Sequence, residues 1–535
     1  MTASPSALDY ASDQPEPNRR RTKVIGGFVI GLLALLVVGG GAVLAFRMLL
    51  GHDDRATAAY APQDSIVYVA ANTDPTSRAW LDAWRLARSA GIDDDLAQLP
   101  KDGLSDAGQD PSLWDDLIRP AIGREVGLAV WQSSGQDEPD VALVVMVADE
   151  NAAEQTITRI LDGETPEVHT YRDITYQVKD EQTAVGIVDD AMIVATGSDA
   201  FEHIIDARRD GALNAVDKFT SAADRAADDP LIFSYVDGPA IAELARTHPD
   251  AAMGLGFDDT ALEDWDGAGA MTFTVRASGD TIRFATLTDG RPAAFPTTVT
   301  DGIAADEMPA STIFAMTGVD LYESFLKPAI DQAGALEAPL SDGSEAAGSV
   351  AQLGLGVDDD LLSHLVGQYS FSIAVLTDYS SPFGFSGAVG FQSGVDDASA
   401  VTDLVNEVAD SLGEIGVPMT RTDNGFSISG SGVPVFGDVA VDDNLSVGLR
   451  LGDGAGSGTL ADDPHFVDLM DDVQDDSSMI GYLALDRLIA LIPEDQWSDV
   501  SPEARTALES LGGLAWSVAP DGDGLRAELL LAVTE

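Results

Sequence analysis

One stretch of the chain is apolar throughout, and it constrains everything that follows it. Residues 24–46 contain no charged side chain and come directly after a basic segment, residues 19–23. At about 1.5 Å of rise per residue, a helix of this length crosses the roughly 30 Å hydrocarbon core of a bilayer. Basic flanks stay on the cytoplasmic side. The sequence therefore predicts a single-pass anchor, with residues 1–23 as a disordered cytoplasmic tail and the bulk of the chain extracytoplasmic.

The alternative interpretation of this run is a cleavable signal peptide. The run is longer than the usual signal core of roughly 7–15 residues, and Val43-Leu44-Ala45 is a poor cleavage site. An uncleaved anchor in the cell membrane is therefore favoured. Gly27 and Gly31 form a GxxxG pair, a spacing that lets two spanning helices touch. Weak dimerisation through these two glycines is a further expectation.

The charge of the chain excludes one class of function. The sequence holds 90 acidic residues against 29 Lys and Arg, for a formal net charge of −61. A field of this sign repels nucleic acid, so a nucleic-acid partner is excluded. The acids are spread along the whole chain, which favours a solvated surface adapted to salt over divalent-cation binding. The chain also has no cysteine, so its stability depends on a hydrophobic core without disulfides.

Five short patterns recur in the same order, each displaced by about 245 residues. The first members are the run from Pro62, the Asp116–Gly123 spacing, the strand Val126–Val130, Phe233–Asp237 and Phe273–Arg283; their partners are the run from Pro309, Asp360–Gly367, Ser370–Val375, Tyr482–Asp486 and Trp516–Arg526. Collinear recurrence of this kind indicates a duplicated unit. We predict two ectodomain repeats, residues 60–289 and 309–535, joined by a Pro-containing linker at residues 290–308.

Each repeat mixes the hydrophobic periods of strands and helices. In the first repeat, β-branched runs predict strands at 65–71, 126–131, 141–148, 191–196, 231–236, 270–276 and 281–287. Short polar turns join consecutive strands at 188–191, 277–280 and 520–524, which implies antiparallel pairing.

Helices are predicted between these strands. They cover residues 79–90, residues 152–161 after an Asp149 cap, a segment after a Ser198 cap, and residues 401–412 in the second repeat. The predicted fold class is α+β, a transmembrane helix followed by two tandem units with helices packed on mainly antiparallel sheets.

The order of these features resembles a known family. A Pro-initiated strand follows a single anchor, an Asp-Leu-Leu segment precedes Gly367 and a strand, and a strand-Asp-helix unit comes late in the repeat. In these respects the chain is similar to the bacterial membrane-anchored proteins grouped as domain of unknown function 3352. The similarity covers most of the expected extracytoplasmic part. It implies no activity, cofactor or catalytic residue.

The sequence carries no metal-binding pattern. The histidines are isolated from one another, at positions His52, His169, His203, His248, His364 and His465. Acidic clusters at 93–95, 258–259 and 358–360 lack the alternating acids and the glycine of a calcium loop. Asp359 and Asp360 are instead predicted to lie at the start of a helix, where carboxylates are favourable. No metal ligand or cofactor is predicted.

Nucleophile and phosphate motifs are also incomplete. Ser324 and Lys327 match the SxxK of serine acyl-enzymes, but the sequence has no KTG or SDN partner. No GxSxG elbow is present, and the Gly-rich residues 452–458 lack the lysine of a phosphate loop. We therefore predict no catalytic residues, and a protein that is not an enzyme.

The predicted function is binding or scaffolding at the cell envelope, with a lipid, another hydrophobic ligand or an envelope protein as partner. Duplicated units commonly form a ligand site where they meet, and apolar ligands suit such sites. One alternative is a carboxylate-dependent envelope hydrolase, which predicts a pocket with two converging acids. The other is a purely structural envelope protein. Binding predicts an apolar cavity or an exposed apolar patch.

Overall fold

The structure is a computed structural model that describes much of the chain beyond residue 54. The described ranges, which have a few single residues or pairs between them, are 55–91, 119–133, 139–161, 166–226, 228–247, 269–290, 296–321, 363–377, 385–414, 416–429, 435–451, 458–473, 476–492 and 502–534. The predicted tail, the predicted anchor and the Gly27–Gly31 pair lie outside them. None of the helices in the described part is both long enough and apolar enough to span a bilayer.

The first half of the described chain contains ten strands and five helices. The strands are β1 (Ser65–Asn72), β2 (Ile122–Trp131), β3 (Asp140–Val147), β4 (Glu167–Tyr171), β5 (Ile174–Lys179), β6 (Thr183–Val188), β7 (Ala191–Ala195), β8 (Ile232–Asp237), β9 (Ala270–Ser278) and β10 (Thr281–Thr288). The helices are α1 (Arg78–Ser89), α2 (Glu150–Ile160), α3 (Gly197–Asp210), α4 (Asp217–Arg225) and α5 (Gly238–Thr247). Shorter helical turns cover Ala56–Ala59, Arg119–Ala121 and Leu213–Ala215.

The second half of the described chain repeats this plan with ten strands and four helices. The strands are β11 (Thr312–Val319), β12 (Leu365–Thr377), β13 (Phe385–Val395), β14 (Met419–Thr422), β15 (Gly425–Ser429), β16 (Val435–Val441), β17 (Asn444–Leu451), β18 (Met479–Leu483), β19 (Leu511–Asp521) and β20 (Gly524–Val533). The helices are α6 (Ala398–Glu414), α7 (Pro464–Asp471), α8 (Leu485–Ala490) and α9 (Pro502–Glu509). Short 3-10 helices cover Ala305–Glu307 and Leu460–Asp462.

All twenty described strands join in one antiparallel sheet. The first half runs β4-β5-β6-β7-β3-β2-β1-β8-β9-β10 across the sheet. The second half runs β14-β15-β16-β17-β13-β12-β11-β18-β19-β20, which is the same order of pairing. The predicted class, a mixture of helices and a large antiparallel sheet, is confirmed.

The two halves also agree in register. Pro62 forms an isolated bridge with Ala212, and Pro309 forms the same bridge with Thr459. Each proline precedes the first strand of its half by three residues. Positions counted from these two prolines along the paired strands are called equivalent below.

The halves meet edge to edge through a strand pair that we call the seam. β10 pairs with β20 over eight residues, from Thr281 opposite Ala532 to Thr288 opposite Leu525. The residue patterns predict two repeats and a linker but do not indicate this pairing. Gly524 lies at one end of the seam, where a Cβ would stand 1.8 Å from the Thr288 carbonyl oxygen. The seam therefore depends on a residue without a side chain at this position.

The main cores lie on one side of the sheet, which we call the inner face. In the first half, Phe201 of α3 and Phe219 of α4 are buried against Tyr68 and Trp131. In the second half the core includes Phe466 and Leu469 of α7 with Tyr482 of β18 and Leu530 of β20. The opposite side, which we call the open face, carries α1, α2 and α6 over parts of its area.

Side-chain caps explain where the helices begin. The predicted cap of α2 is confirmed, since the Asp149 carboxylate accepts a backbone N–H at 2.9 Å. The predicted Ser198 cap is wrong, because α3 already begins at Gly197 with Thr196 in the cap position. The Thr196 hydroxyl accepts from the Val141 backbone N–H at 3.0 Å and makes no cap bond. The Thr196 side chain, which lies in the cap position of α3, therefore bonds to a neighbouring strand instead.

Two details of the predicted strands need correction. The strands β4, β5 and β6 are missing from the prediction; β4 is mostly polar, but β5 alternates apolar with polar residues and β6 is mostly apolar. The suggested match of Phe233 with Tyr482 is shifted by two residues. Tyr235 lies opposite Tyr68, and Tyr482 lies opposite Ala315, which occupy equivalent positions. Tyr235 is therefore the equivalent of Tyr482.

Candidate functional site

The two faces of the strands next to the seam differ in chemistry. Along β19, buried residues alternate with half-buried ones, and β20 shows the same alternation. The half-buried residues of β19 include Leu514, Trp516 and Val518. Because successive side chains of a strand point to opposite faces, these three share the open face. The open face is therefore apolar and only partly covered next to the seam.

A continuous row of apolar side chains crosses the open face of eight neighbouring strands. Each member lies directly opposite the next, from β10 through β20, β19, β18, β11, β12 and β13 to β17. This set, which we call the apolar row, is Ile282, Leu531, Leu514, Leu483, Phe314, Ile373, Val389 and Leu449. At about 4.8 Å between neighbouring strands, the row is about 34 Å long.

The apolar row is accessible to different extents along its length. None of its members is fully buried. Val389 and Leu449, at the end far from the seam, are 37% and 40% exposed. At the opposite end, Ile282 packs against Leu86 of α1 and Ala90 just after it. The row is therefore covered at the Ile282 end and most open at the Leu449 end.

Aromatic side chains widen the apolar row on one flank. The Trp516 indole lies over Gly481, where a Cβ would stand 1.9 Å from the ring. The Phe314 ring centroid lies 5.7 Å from that of Trp516 and 5.8 Å from that of Phe371. Two aromatic contacts of this kind form a broad apolar surface beside the row. A long, thin apolar molecule lying along the row would contact this surface as well.

The centre of the seam carries a charged cluster on its inner side. Glu528 of β20 is 3% exposed, and its carboxylate accepts from Arg526 Nε at 2.8 Å and from Arg283 Nη1 at 3.4 Å. Arg283 Nη2 also donates to the Asp472 carbonyl oxygen at 2.9 Å. This cluster ties the two halves together around a buried carboxylate. We therefore assign it to the assembly of the sheet.

A separate pocket of about 440 Å³ opens beside α3 and α4 in the first half. Its lining combines bases and acids, among them Arg55, Asp190 and Arg208. The Tyr60 hydroxyl donates to Asp190, and the Arg208 guanidinium lies 4.7 Å from the Tyr60 ring centroid. Burial, reinforced by the bond to Asp190, raises the pKa of Tyr60 far above its usual range. Arg55 Nη2 donates to the Ala223 carbonyl oxygen at 3.0 Å. These lining side chains thus already bond to other groups of the protein. The pocket is therefore a weaker candidate for a ligand site than the apolar row.

A buried acid near this pocket has a positioning role. Glu125 accepts from the backbone N–H groups of Thr57 at 2.8 Å and Ala56 at 3.2 Å, and from the Thr57 hydroxyl at 2.5 Å. Burial raises the pKa of Glu125. At the equivalent position of the second half, Gln368 accepts from the Asp301 N–H at 3.1 Å. In each half this side chain fastens the segment that leads into the first strand.

Two of the histidines in the described residues lie beside a carboxylate from a distant part of the sequence. His203 Nε2 lies 3.2 Å from Asp64 and stacks on Trp131, and His364 Nδ1 lies 2.8 Å from Asp396. Within the ranges that the structure describes, no three His, Asp or Glu side chains are grouped so as to hold a metal ion. Several sequence features lie outside those ranges, namely His52, His248, the acidic clusters at 93–95, 258–259 and 358–360, Ser324, Lys327 and residues 452–457.

The residue patterns predict an apolar site where the repeats meet but do not identify the apolar row. Its residues come from eight strands scattered over the chain, and they align only through strand register. The strands near the seam also carry apolar residues on both faces, such as Leu529 and Leu530 in β20. The local pattern therefore does not indicate which face stays open.

Comparisons with known proteins identify a family but no function. The family described as "Protein of unknown function (DUF3352)" matches residues 28–424. No curated protein matches the sequence. Among solved structures, crystal form IV of TP0453 is 13% identical, with a TM-score of 0.26, and crystal form III is 11% identical, with a TM-score of 0.25. Each match covers 44% of this chain and 81% of the TP0453 chain.

Proposed function

The chain belongs to the DUF3352 family of proteins of unknown function, and from this premise we propose that it is a membrane-anchored, extracytoplasmic protein that binds the hydrocarbon chain of a lipid. The bound chain lies along the apolar row. The observation that carries this proposal is the row itself, a line of half-buried and exposed apolar side chains about 34 Å long.

The shape of the row favours a hydrocarbon chain over a compact apolar molecule. Its members follow one another at the spacing of neighbouring strands, so they form a line and not a rounded cavity. Every member is Ile, Leu, Phe or Val, and none offers a hydrogen bond. Burial of apolar surface contributes about 25 cal/mol per Å², so an extended chain gains with every methylene that contacts the row.

The net charge of the chain also favours a neutral hydrocarbon as the ligand. With a net charge of −61, the protein repels acidic partners at long range. A neutral hydrocarbon is indifferent to this field. A neutral lipid therefore suits the row better than an acidic protein or an anionic amphiphile does.

The proposed location rests on the sequence. Residues 24–46 form an uncharged apolar run after a basic segment, which supports a single-pass anchor with a cytoplasmic N-terminus. The described chain begins at residue 55, only a short spacer after this run. An anchor at this position would tether the protein to a bilayer, which is a direct source of lipid. Dimerisation through Gly27 and Gly31 would add a second copy beside it.

We also propose that the ectodomain arose by duplication of one unit. The identical order of strand pairing in the two halves and the matching bridges at Pro62 and Pro309 support this. The proposed units are residues 60–289 and 309–535, with residues 290–308 between them. The seam then joins the last strands of the two copies. We propose no catalytic activity, since Tyr60, Asp190 and Arg55 at the pocket beside α3 and α4 bond to the protein's own groups.

Photo-crosslinking of the full chain in its own membranes tests the lipid site. The probe is a monoacylglycerol with a photoactivatable group near the end of its chain, and crosslinked peptides are mapped by mass spectrometry. We expect crosslinks on β11, β13 and β17, in addition to background labelling of the anchor. The variant Val389→Gln/Leu449→Gln should lower these crosslinks several-fold.

The matched control for this experiment is Phe436→Gln. Phe436 is 42% exposed and lies on β16, beside β17, but on the other face of the sheet. The Phe436→Gln variant should leave the crosslinks on β11, β13 and β17 unchanged. Equal labelling in all variants, labelling confined to residues 24–46, or a protein in place of the lipid at the row would each contradict the proposed function.

A further inference from the structure

The first half carries a row of its own on the open face. Five neighbouring strands, β9, β8, β1, β2 and β3, each contribute one half-buried apolar side chain, and each of these lies directly opposite the next. This set, which we call the first-half row, is Met271, Val236, Val67, Val130 and Val141. At about 4.8 Å between strands it is about 19 Å long.

The first-half row occupies positions equivalent to the centre of the apolar row. Val67 and Phe314 both lie five residues after the proline that marks their half. Val67 pairs with Val130, as Phe314 pairs with Ile373. By the same register, Met271, Val236 and Val141 are the equivalents of Leu514, Leu483 and Val389.

Polar residues close the first-half row at both ends. Beyond Met271 the next residue across the strands is Thr288, which is buried and donates to the Gly290 carbonyl oxygen at 2.6 Å. Beyond Val141 comes Thr196, whose hydroxyl accepts from the Val141 N–H at 3.0 Å. At the corresponding positions the apolar row continues through Leu531 and Leu449. The first-half row is thus a short version of the same surface.

We propose that the first half is a second binding site for a lipid hydrocarbon chain, limited to shorter chains than the apolar row accepts. This inference rests on the proposed function of the apolar row. One leaflet of a bilayer accounts for about 15 Å of a hydrocarbon core of about 30 Å. The first-half row therefore matches one ordinary membrane acyl chain, whereas the apolar row is about twice as long. Valine side chains are also shorter than the Leu, Phe and Ile that they replace, so the bound chain lies closer to the sheet.

Native mass spectrometry of the full chain in mild detergent tests this inference by counting bound lipids. The first probe is monopalmitoylglycerol, and the second is a neutral monoacylglycerol with a chain about twice as long. We expect the wild type to bind two copies of the first probe, one on each row. It should bind one copy of the second probe, on the apolar row. Val130→Gln should reduce the palmitoyl count from two to one and leave the long-chain probe bound.

The reciprocal variant is Val389→Gln, at the equivalent position of the apolar row. It should release the long-chain probe and keep one palmitoyl chain. Val141→Gln serves as a second first-half variant if Val130→Gln fails to fold, as judged by its melting temperature. A single palmitoyl chain that survives Val130→Gln and Val141→Gln but not Val389→Gln would overturn this inference and leave the proposed function intact. Absence of binding by the wild type would overturn both.

Discussion

Arg283 and Arg526 occupy equivalent positions in the two halves, and both donate to the carboxylate of Glu528. Glu528 lies opposite Ala285, its own equivalent, at the centre of the seam. The strand pairing is therefore two-fold symmetric about this pair, while the side chains are not. One half supplies an acid where the other has alanine, and a single carboxylate accepts hydrogen bonds from an arginine of each half.

Glu528→Gln should destabilise the protein by about 2–4 kcal/mol, because removing one partner of a buried charge cluster leaves the others uncompensated. The measurement is the shift of the chemical denaturation midpoint. The control is Asp438→Asn, which removes a partner of Arg450 from an exposed pair 3.8 Å apart and should change stability by less than about 0.5 kcal/mol. Equal effects of the two changes would contradict the role given to Glu528.

Gly524→Ala should weaken the seam. Its new Cβ would lie 1.8 Å from the Thr288 carbonyl oxygen, so the two strands must separate locally. Overpacking of this kind costs about 1–3 kcal/mol. The expected result is a lower melting temperature, with faster amide exchange in β10 and β20 than elsewhere.

The matched control for this change lies in the same hairpin. Gly522 has a positive φ of 60°, and no atom of the described residues lies within 4 Å of the position that a Cβ would take there. Gly522→Ala therefore introduces backbone strain of about 1 kcal/mol without separating the strands. Accelerated exchange in β10 with Gly522→Ala but not with Gly524→Ala would contradict this view of the seam.

Glu125 makes the free energy of unfolding depend on pH. Its raised pKa determines the direction of that dependence. The folded state binds a proton at this carboxyl more readily than the unfolded state does. Stability therefore rises as pH falls from the folded pKa towards the unfolded value of about 4.5. Glu125→Gln removes this contribution, so the melting temperature of the wild type relative to the variant should increase as pH is lowered from about 8 to about 5.

The equivalent position provides the reciprocal test. Gln368→Glu places an acid where the second half has a neutral amide that accepts from Asp301. We expect a loss of about 1–3 kcal/mol at neutral pH, partly recovered at low pH. Parallel pH profiles for the wild type and both variants would show that neither position titrates in the folded protein.

Gly481→Ala should displace the Trp516 indole, because the added Cβ would stand 1.9 Å from the ring. The expected result is a red shift of the Trp516 emission, isolated as the difference from a Trp516→Phe background. Gly448→Ala is the control, since within the described part of the chain nothing lies within 4 Å of its Cβ position. An unchanged spectrum for Gly481→Ala would mean that Trp516 does not lie over Gly481.

Local sequence patterns predicted much of the secondary structure. The hairpins at 188–191, 277–280 and 520–524 and the α2 cap at Asp149 follow from short-range chemistry, and the structure contains them. The match between Phe273 and Trp516 also survives, since both lie opposite the same equivalent position of their halves.

The candidate site could not be predicted in the same way. The apolar row exists only because β10 pairs with β20 and because eight strands share one register. Neither the β10–β20 pairing nor the shared register can be predicted from residues that are adjacent in the sequence. Sequence alone also does not reveal that Thr288 closes one row where Leu531 extends the other, because the two residues become equivalent only through strand pairing.

The most direct test of the lipid-binding proposal is the lipid content of the protein as it leaves its own membrane. The full chain, its Val389→Gln/Leu449→Gln variant and its Phe436→Gln control are purified in parallel from the native host, and each is extracted with organic solvent for mass spectrometry. We predict that a neutral long-chain lipid accompanies the wild type and the control at a fixed stoichiometry and is depleted several-fold from the row variant. The same lipid content in all three proteins would contradict the account.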